Sequence, residues 1–420
     1  MSIIENKYGL HKLSILLSFL LFLSIFVNKS SLYSAYYIFI LEMFFLISVK
    51  YYSSFSVKYY LLEKSNMIQC AIILLIIIFF STIWNSIDIS GGRLATILMF
   101  NRVFLLFGHA IFALSCYHYF SLIGFNKKLF ISLPIGLVIV CVIFIIEYNF
   151  SQQSLINETH LGLPFYFNRR ILGFFSIFTC IYLVFETLER TSKTWLLRVL
   201  FIVNFSLCIW LGGRAAFISI MFPSLILLFY YLYANINRNN IIVLMLLMIV
   251  SIVISIPFSV LEWNGINRLV YQSQIIKEMT INELSTNRIF IWEDALSYIR
   301  QSFFFGNGAE SFGILTSNTH RFVQPHNFII QFLFEFGIVG FILLTWMIGK
   351  PVYVGLVNLV SGSKMESRDN NMLLLSVLMG FYFQALLDGI FYWGNSMMIV
   401  IVLLTALHAH NLNYEKYCSK

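Results

Sequence analysis

The chain has 420 residues, of which 59% are hydrophobic, 18% aromatic and only 11% charged, with a formal charge of +8. These proportions fall outside the range of soluble globular domains and describe a polytopic membrane protein. No nucleic-acid partner is expected.

A hydrocarbon core of roughly 30 Å requires about 20 apolar residues per helix. Twelve segments meet that need, near 13–27, 32–49, 67–84, 94–120, 129–147, 170–186, 195–211, 214–233, 240–261, 327–348, 372–388 and 391–409. Backbone polar groups must be satisfied within lipid, and no segment shows the period-two alternation of an outer-membrane strand. The predicted fold is therefore all-α, with about 12 transmembrane helices and one long outer loop containing short helices. The chain divides into helices one to nine (1–261), the loop (262–325), and helices ten to twelve with a tail (326–420). The first segment follows Lys7 and Lys12 as a signal peptide would, but the stretch after it offers a poor cleavage site, so it is read as a helix. Five cysteines (Cys70, Cys116, Cys141, Cys180, Cys208) lie in apolar segments and Cys418 in the tail, which gives no disulfide framework.

With the N-terminus inside, sixteen of the 27 Lys and Arg fall on the cytoplasmic face, ten on the outer face, and Arg102 within a helix. This satisfies the positive-inside rule with both termini cytoplasmic. The residue types separate further: 12 Lys and 4 Arg inside, 2 Lys and 8 Arg outside. Guanidinium forks match phosphate oxygens, so the outer face suits an anionic, phosphorylated ligand, although interfacial arginines also meet lipid headgroups.

In chain order, Arg102 in the fourth helix needs a partner, and Glu42, Glu335 and His109 are the candidates. The loop after Glu147 carries an Asn157-Glu158-Thr159 sequon and His160. Arg169 and Arg170, where the sixth helix enters, either clamp a diphosphate or anchor the helix. Gly212-Gly213-Arg214 makes a reversal that sets Arg214 in the first turn of the eighth helix, a phosphate corner or an ordinary capped turn. In the long outer loop, Ser285 or Thr286 caps an amphipathic helix with Arg288 in its first turn and Ile289, Trp292, Leu296 and Ile299 as its apolar stripe. Gly306 ends that helix. Pro325 in the first turn of the tenth helix then sets His326 at its N-terminus, where the helix dipole favours neutral imidazole.

Arg214 after its turn, Asn287-Arg288-x3-Trp292, Gly306-x-Gly308-x2-Ser311-Phe312, and Pro325-His326-Asn327-x3-Gln331-x3-Glu335-x-Gly337 with Gly340 together resemble the O-antigen ligase and polymerase superfamily over about residues 205–345. Asp388, in Leu387-Asp388-Gly389, also resembles an acidic position of the ligases. The resemblance implies a metal-independent, inverting glycosyltransferase of lipopolysaccharide biosynthesis at the periplasmic face of a bacterial inner membrane. Its donor is a glycan on undecaprenyl diphosphate, and its acceptor is a hydroxyl of lipid A core or of another lipid-linked glycan. It implies no cofactor and no metal. Arg214 and Arg288 then hold the diphosphate, His326 activates or positions the acceptor, and Asp388 orients His326. Arg169, Arg170, Arg321, Asn327 and Trp292 are the further substrate-binding candidates. No Asp-x-Asp, Walker or zinc spacing occurs. The competing class is a transporter of the same lipid-linked glycan, but the chain lacks the related halves that such folds show.

Overall fold

The computed structural model describes residues 3–26, 31–53, 55–62, 65–88, 92–151, 169–189, 195–233, 238–256, 288–316, 322–360 and 365–418. They form fifteen α-helices and no strand. In order these are α1 (Ile3–Leu23), α2 (Ser31–Tyr52), α3 (Val57–Leu62), α4 (Asn66–Asp88), α5 (Gly92–Ile123), α6 (Ser132–Ser151), α7 (Arg169–Leu188), α8 (Trp195–Leu211), α9 (Arg214–Tyr233), α10 (Arg238–Ser255), α11 (Arg288–Gln301), α12 (Ser311–Leu315), α13 (Phe328–Val360), α14 (Met365–Leu387) and α15 (Gly394–Cys418). Ten of the described helices are long and apolar enough to cross a membrane, and two shorter apolar ones, Gly9–Leu23 and Trp195–Leu211, join them. These twelve coincide with the twelve apolar segments of the sequence. The chain is a multi-pass, all-α membrane protein.

Helix α7 is the centre of the bundle: its whole apolar window is buried, against 22% for α4 and for α10. Lipid tails are as apolar as leucine, so helices associate through close packing rather than through expulsion of water. Gly380 in α14 shows how close that packing is. A Cβ there would come within 2.5 Å of the Ile181 side chain and 2.9 Å of the Ser219 carbonyl, so only glycine lets α14 lie in the corner between α7 and α9.

Helix α13 runs to Val360, twelve residues past the predicted end at 348, because apolar Val352, Leu356 and Val360 continue the pattern beyond Lys350, whose ammonium lies 5.0 Å from the Trp346 ring centroid. It is also broken at Gly337, with φ 64° and ψ −174°. The carbonyls freed by the break are taken by the loop. Asn307 N–H donates to the Phe334 carbonyl at 2.8 Å and Gly308 N–H to Glu335 at 3.0 Å, while Ile338 N–H returns to Phe303 at 2.9 Å. The two chains meet so closely that a Cβ on Gly337 would sit 2.4 Å from the Phe304 carbonyl, and one on Gly306 2.5 Å from the Glu335 backbone. The Ser81 hydroxyl of α4 donates to Gly306 at 3.1 Å, and Ala309 N–H donates to Thr82 Oγ1 at 3.1 Å, fixing the turn from the other side. Helix α11 stops at Gln301, before the Gly306 expected to end it, and the Gly-Asn-Gly turn and the Glu335-x-Gly337 step are instead two halves of one clasp.

Two local expectations need correction. The buried stripe of α11 is Ile291, Ala295 and Ile299, packed with Phe312 and Phe334, whereas Leu296 is 43% exposed. The helix is rotated relative to its hydrophobic pattern because it meets α13 and α12 on one side rather than a flat lipid surface. Arg102 does not pair with Glu42 or His109, which pair with each other at 2.7 Å; its nearest carboxylate is Glu310 at 3.8 Å. The predicted cap at Ser285 or Thr286, and the sequon at Asn157, lie outside the described residues.

Candidate functional site

Five elements end together at one end of the bundle: the starts of α7, α9 and α11, the segment leading into α13, and the turn after α14. The last of these carries a buried carboxylate. Asp388 follows the final residue of α14, and the terminal carbonyls of that helix have no partner within the helix. Asn327 Nδ2–H donates to the Leu386 carbonyl at 3.2 Å, and the Arg288 guanidinium donates to that of Leu387. Two side chains from other elements therefore cap α14 and fix where Asp388 stands.

His326 reaches the same point from the other side. Pro325 is not in the first turn of α13: that helix begins at Phe328, and Asn327 caps it, its Oδ1 accepting from Ile329 N–H at 2.9 Å and Ile330 N–H at 3.3 Å. His326 precedes the cap with φ 56°, a left-handed conformation that costs a non-glycine residue energy and turns its side chain away from the helix axis toward Asp388. The dipole argument for a neutral imidazole falls with that placement. What holds the ring is geometry: Nδ1 lies 2.8 Å from Asp388 Oδ1, and Phe322 packs edge-on at 5.7 Å. Trp292 Nε1–H donates to the Pro325 carbonyl at 2.8 Å, which ties the segment to α11.

An ionised carboxylate only accepts, so the 2.8 Å contact puts a proton on Nδ1 and leaves Nε2 as the nitrogen that gains or gives one. Arg170 Nη1 lies 3.5 Å from the same Nδ1 and 3.8 Å from Asp388 Oδ1. Two N–H groups cannot bond each other, so Arg170 acts on the pair through its attraction for Asp388. Burial pushes the Asp388 carboxyl up, but the bond from His326 and the charges of Arg170 and Arg288 outweigh it and hold the group at about 2. Burial is also the main cause that lowers Arg288, whose neighbours are Asp388, Arg170 and Arg214. Three guanidinium groups are thus close enough to act on one another with one carboxylate between them. Arg214, the first residue of α9 after Gly212 at φ 58°, is exposed, and its side chain makes no hydrogen bond or ion pair with another described residue.

Of the candidates from sequence, the fold brings together Arg170, Arg214, Arg288, His326 and Asp388. Asn327 and Trp292 are placed beside them but spend their polar groups on the backbone, so their observed work is positioning. Arg169 begins α7, and Arg321 lies outside the described residues. No group of three or more His, Cys, Asp or Glu among the described residues is arranged to hold a metal ion.

A second polar cluster, which motif reading missed, joins the first through a single turn. After Asp388 the chain makes a 3-10 turn at Ile390–Tyr392. The Tyr392 hydroxyl donates to Glu310, the Arg102 guanidinium lies 5.2 Å from the Tyr392 ring centroid, and Arg102 Nη2–H reaches the Phe391 carbonyl at 3.5 Å. Glu310 was visible only as an unspecified position between Gly308 and Ser311. Its φ of 60°, like that of His326, marks the spot. Gln324 was also passed over. It is 3% exposed, its Oε1 has no partner among the described residues, and its side chain fills the space where Gly389 lacks one.

A comparison with curated proteins finds no match. Residues 199–345 match the family model described as O-antigen ligase. That span begins in α8, ends in α13 and contains Arg214, Arg288 and His326, and over it the chain is similar to the O-antigen ligase family.

Proposed function

We propose that this protein transfers a glycan from undecaprenyl diphosphate to a sugar hydroxyl of lipid A core, at the periplasmic face of a bacterial inner membrane, with both termini cytoplasmic. The observation that carries this reading is the convergence of Arg170, Arg214 and Arg288 on the His326–Asp388 pair. The acceptor hydroxyl gives its proton to His326 Nε2 as its oxygen attacks the anomeric carbon. The bond to the diphosphate breaks on the opposite face, its electrons leave with the diphosphate, and configuration inverts. Negative charge grows on the leaving oxygen during that step, so fixed guanidinium donors stabilise the transition state more than the ground state. Asp388 holds the ring in one tautomer and offsets the imidazolium that forms. These residues need no metal in the step.

The second reading is a repeat-unit polymerase for O-antigen or capsule, which uses the same donor and takes a lipid-linked glycan as acceptor. The cavity described below favours it. A gel profile of lipopolysaccharide and lipid-linked glycan in cells with and without the gene separates the two. A ligase leaves long chains on the lipid carrier and a bare core when deleted; a polymerase leaves a core bearing one repeat. An unchanged profile overturns the ligase and the O-antigen polymerase and leaves a polymerase of capsule or another exported polysaccharide, or a transporter.

A further inference from the structure

A groove of about 520 Å³ runs between α4, α5, α13 and α15. Its wall is apolar along most of its length, with Ile72, Leu106, Leu114, Met347 and Leu404. Ile76 and Phe107, 48% and 39% exposed, stand at its margin, so it opens on the outer surface of the bundle, where lipid lies. Polar groups gather where Arg102, Gln331 and Glu335 line it.

Those groups are not a closed network. Gln331 is 2% exposed, and its Oε1 has no hydrogen-bond partner among the described residues although its Nε2–H donates to Glu335 Oε1 at 3.4 Å. A buried acceptor with no donor costs about 1–3 kcal/mol unless a ligand or water meets it. Arg102 has five donors, and its two described polar contacts are long, 3.8 Å to Glu310 and 3.5 Å to the Phe391 carbonyl. The polar end is level with Glu310 and Tyr392, both outside the membrane-spanning segments, and the Ile390–Tyr392 turn leads from it directly to Asp388.

We infer that this groove is a second lipid site, which seats the single polyprenyl chain of a lipid-linked glycan acceptor, with Arg102 turned to its phosphate. The inference rests on the second, polymerase form of the glycan-transfer reading and takes a lipid-linked glycan, in place of lipid A core, as the acceptor. A transfer between two lipid-borne glycans needs two slots whose polar ends meet at the reacting groups. The arginine cluster supplies one, on the α7 and α9 side of α13, and the groove supplies the other. The volume lies in the range of sites for one small ligand, which seats a stretch of one hydrocarbon chain and not several acyl chains side by side.

The test uses the full chain in phosphatidylethanolamine–phosphatidylglycerol nanodiscs with two photoreactive probes, a diazirine-bearing undecaprenyl phosphate and a diazirine-bearing phosphatidylethanolamine, and maps the labelled peptides. The expected result is undecaprenyl labelling concentrated on the groove faces of α5 and α13, removed by Ala113→Trp and weakened about tenfold by Arg102→Gln. Ala71→Leu serves the same purpose should the tryptophan variant fail to fold. Equal labelling of the groove by the phosphatidylethanolamine probe, or labelling unchanged by both filling variants, overturns the inference in favour of ordinary membrane lipid. Transfer assays keep the two claims apart. Groove labelling that survives Arg214→Ala while transfer ceases supports both. Transfer whose acceptor KM is unmoved by the groove variants overturns the second site alone, and a labelled groove in a protein without transfer overturns the proposed acceptor role together with the catalytic reading.

Discussion

The molecule places two arginine–carboxylate clusters at the same end of one bundle, a single turn apart, and builds them differently. Around Asp388 the contacts are short and directional: His326 at 2.8 Å, α14 capped by Asn327 and Arg288, and Arg170 behind the pair. Around Arg102 the ion pair is long, at 3.8 Å, and a ring and a carbonyl share the guanidinium. The first arrangement fixes a proton to one nitrogen; the second holds a positive charge beside an apolar groove. Equivalent residue types acquire the geometry of chemistry or of binding according to how many elements fix them.

The strongest way to break this contrast is by substitution at its centre. His326→Ala is expected to lower glycan transfer by about 10²–10⁴, and Arg214→Ala by about 10²–10³, with the membrane-inserted protein retained. Arg102→Gln should instead raise the acceptor KM more than it lowers kcat, and equal kcat losses in the three variants would erase the distinction. Gly337→Ala attacks the support of the Arg102 cluster, because the clasp holds Glu310. Its positive φ alone costs on the order of 1–3 kcal/mol, and the Cβ would meet the Phe304 carbonyl, so the melting temperature should fall by several degrees.

Asp388→Asn sharpens the comparison through pH. The folded carboxyl sits at about 2, below its ordinary 3.8, so its ionised form contributes about 2 kcal/mol of stability. That contribution is complete above the ordinary value and disappears as pH falls through about 2. Wild type should therefore melt above the variant near neutral pH, and the two curves should converge on acidification; a constant gap would mean that Asp388 is not held by charge. The smallest effect is expected at Leu296→Ser, within about 0.5 kcal/mol, against roughly 2–5 kcal/mol for the buried Ile291→Ser. Equal melting temperatures for the two would contradict the stripe seen on α11.

The twelve apolar segments were legible because lipid imposes one length and one composition on a spanning helix. The end of α13 was not, since amphipathic residues after Lys350 prolong a helix without lengthening its apolar core. Arg170, Arg214, Arg288, His326 and Asp388 could be named from residue type and spacing, but their meeting depends on how α7, α9 and α14 pack around Gly380, which no local pattern encodes. The register of α11 was misread for the same reason: periodicity identifies a helix and not the neighbour that chooses its face. Glu310 carries no motif of its own, and its role emerges only when Arg102, over two hundred residues earlier, arrives beside Tyr392.

The clasp at Gly337 also orders the assembly of the protein in time. Ser81 and Thr82, which grip the turn from α4, leave the ribosome early, but the carbonyls of Phe334 and Glu335 that complete the grip come after the long loop, and Asp388 comes later still. A chain arrested before α14 would hold every arginine of the cluster and no dyad. The constellation therefore closes only when the last hairpin has entered the bilayer, so a half-made chain lacks the assembled dyad on which the proposed transfer depends.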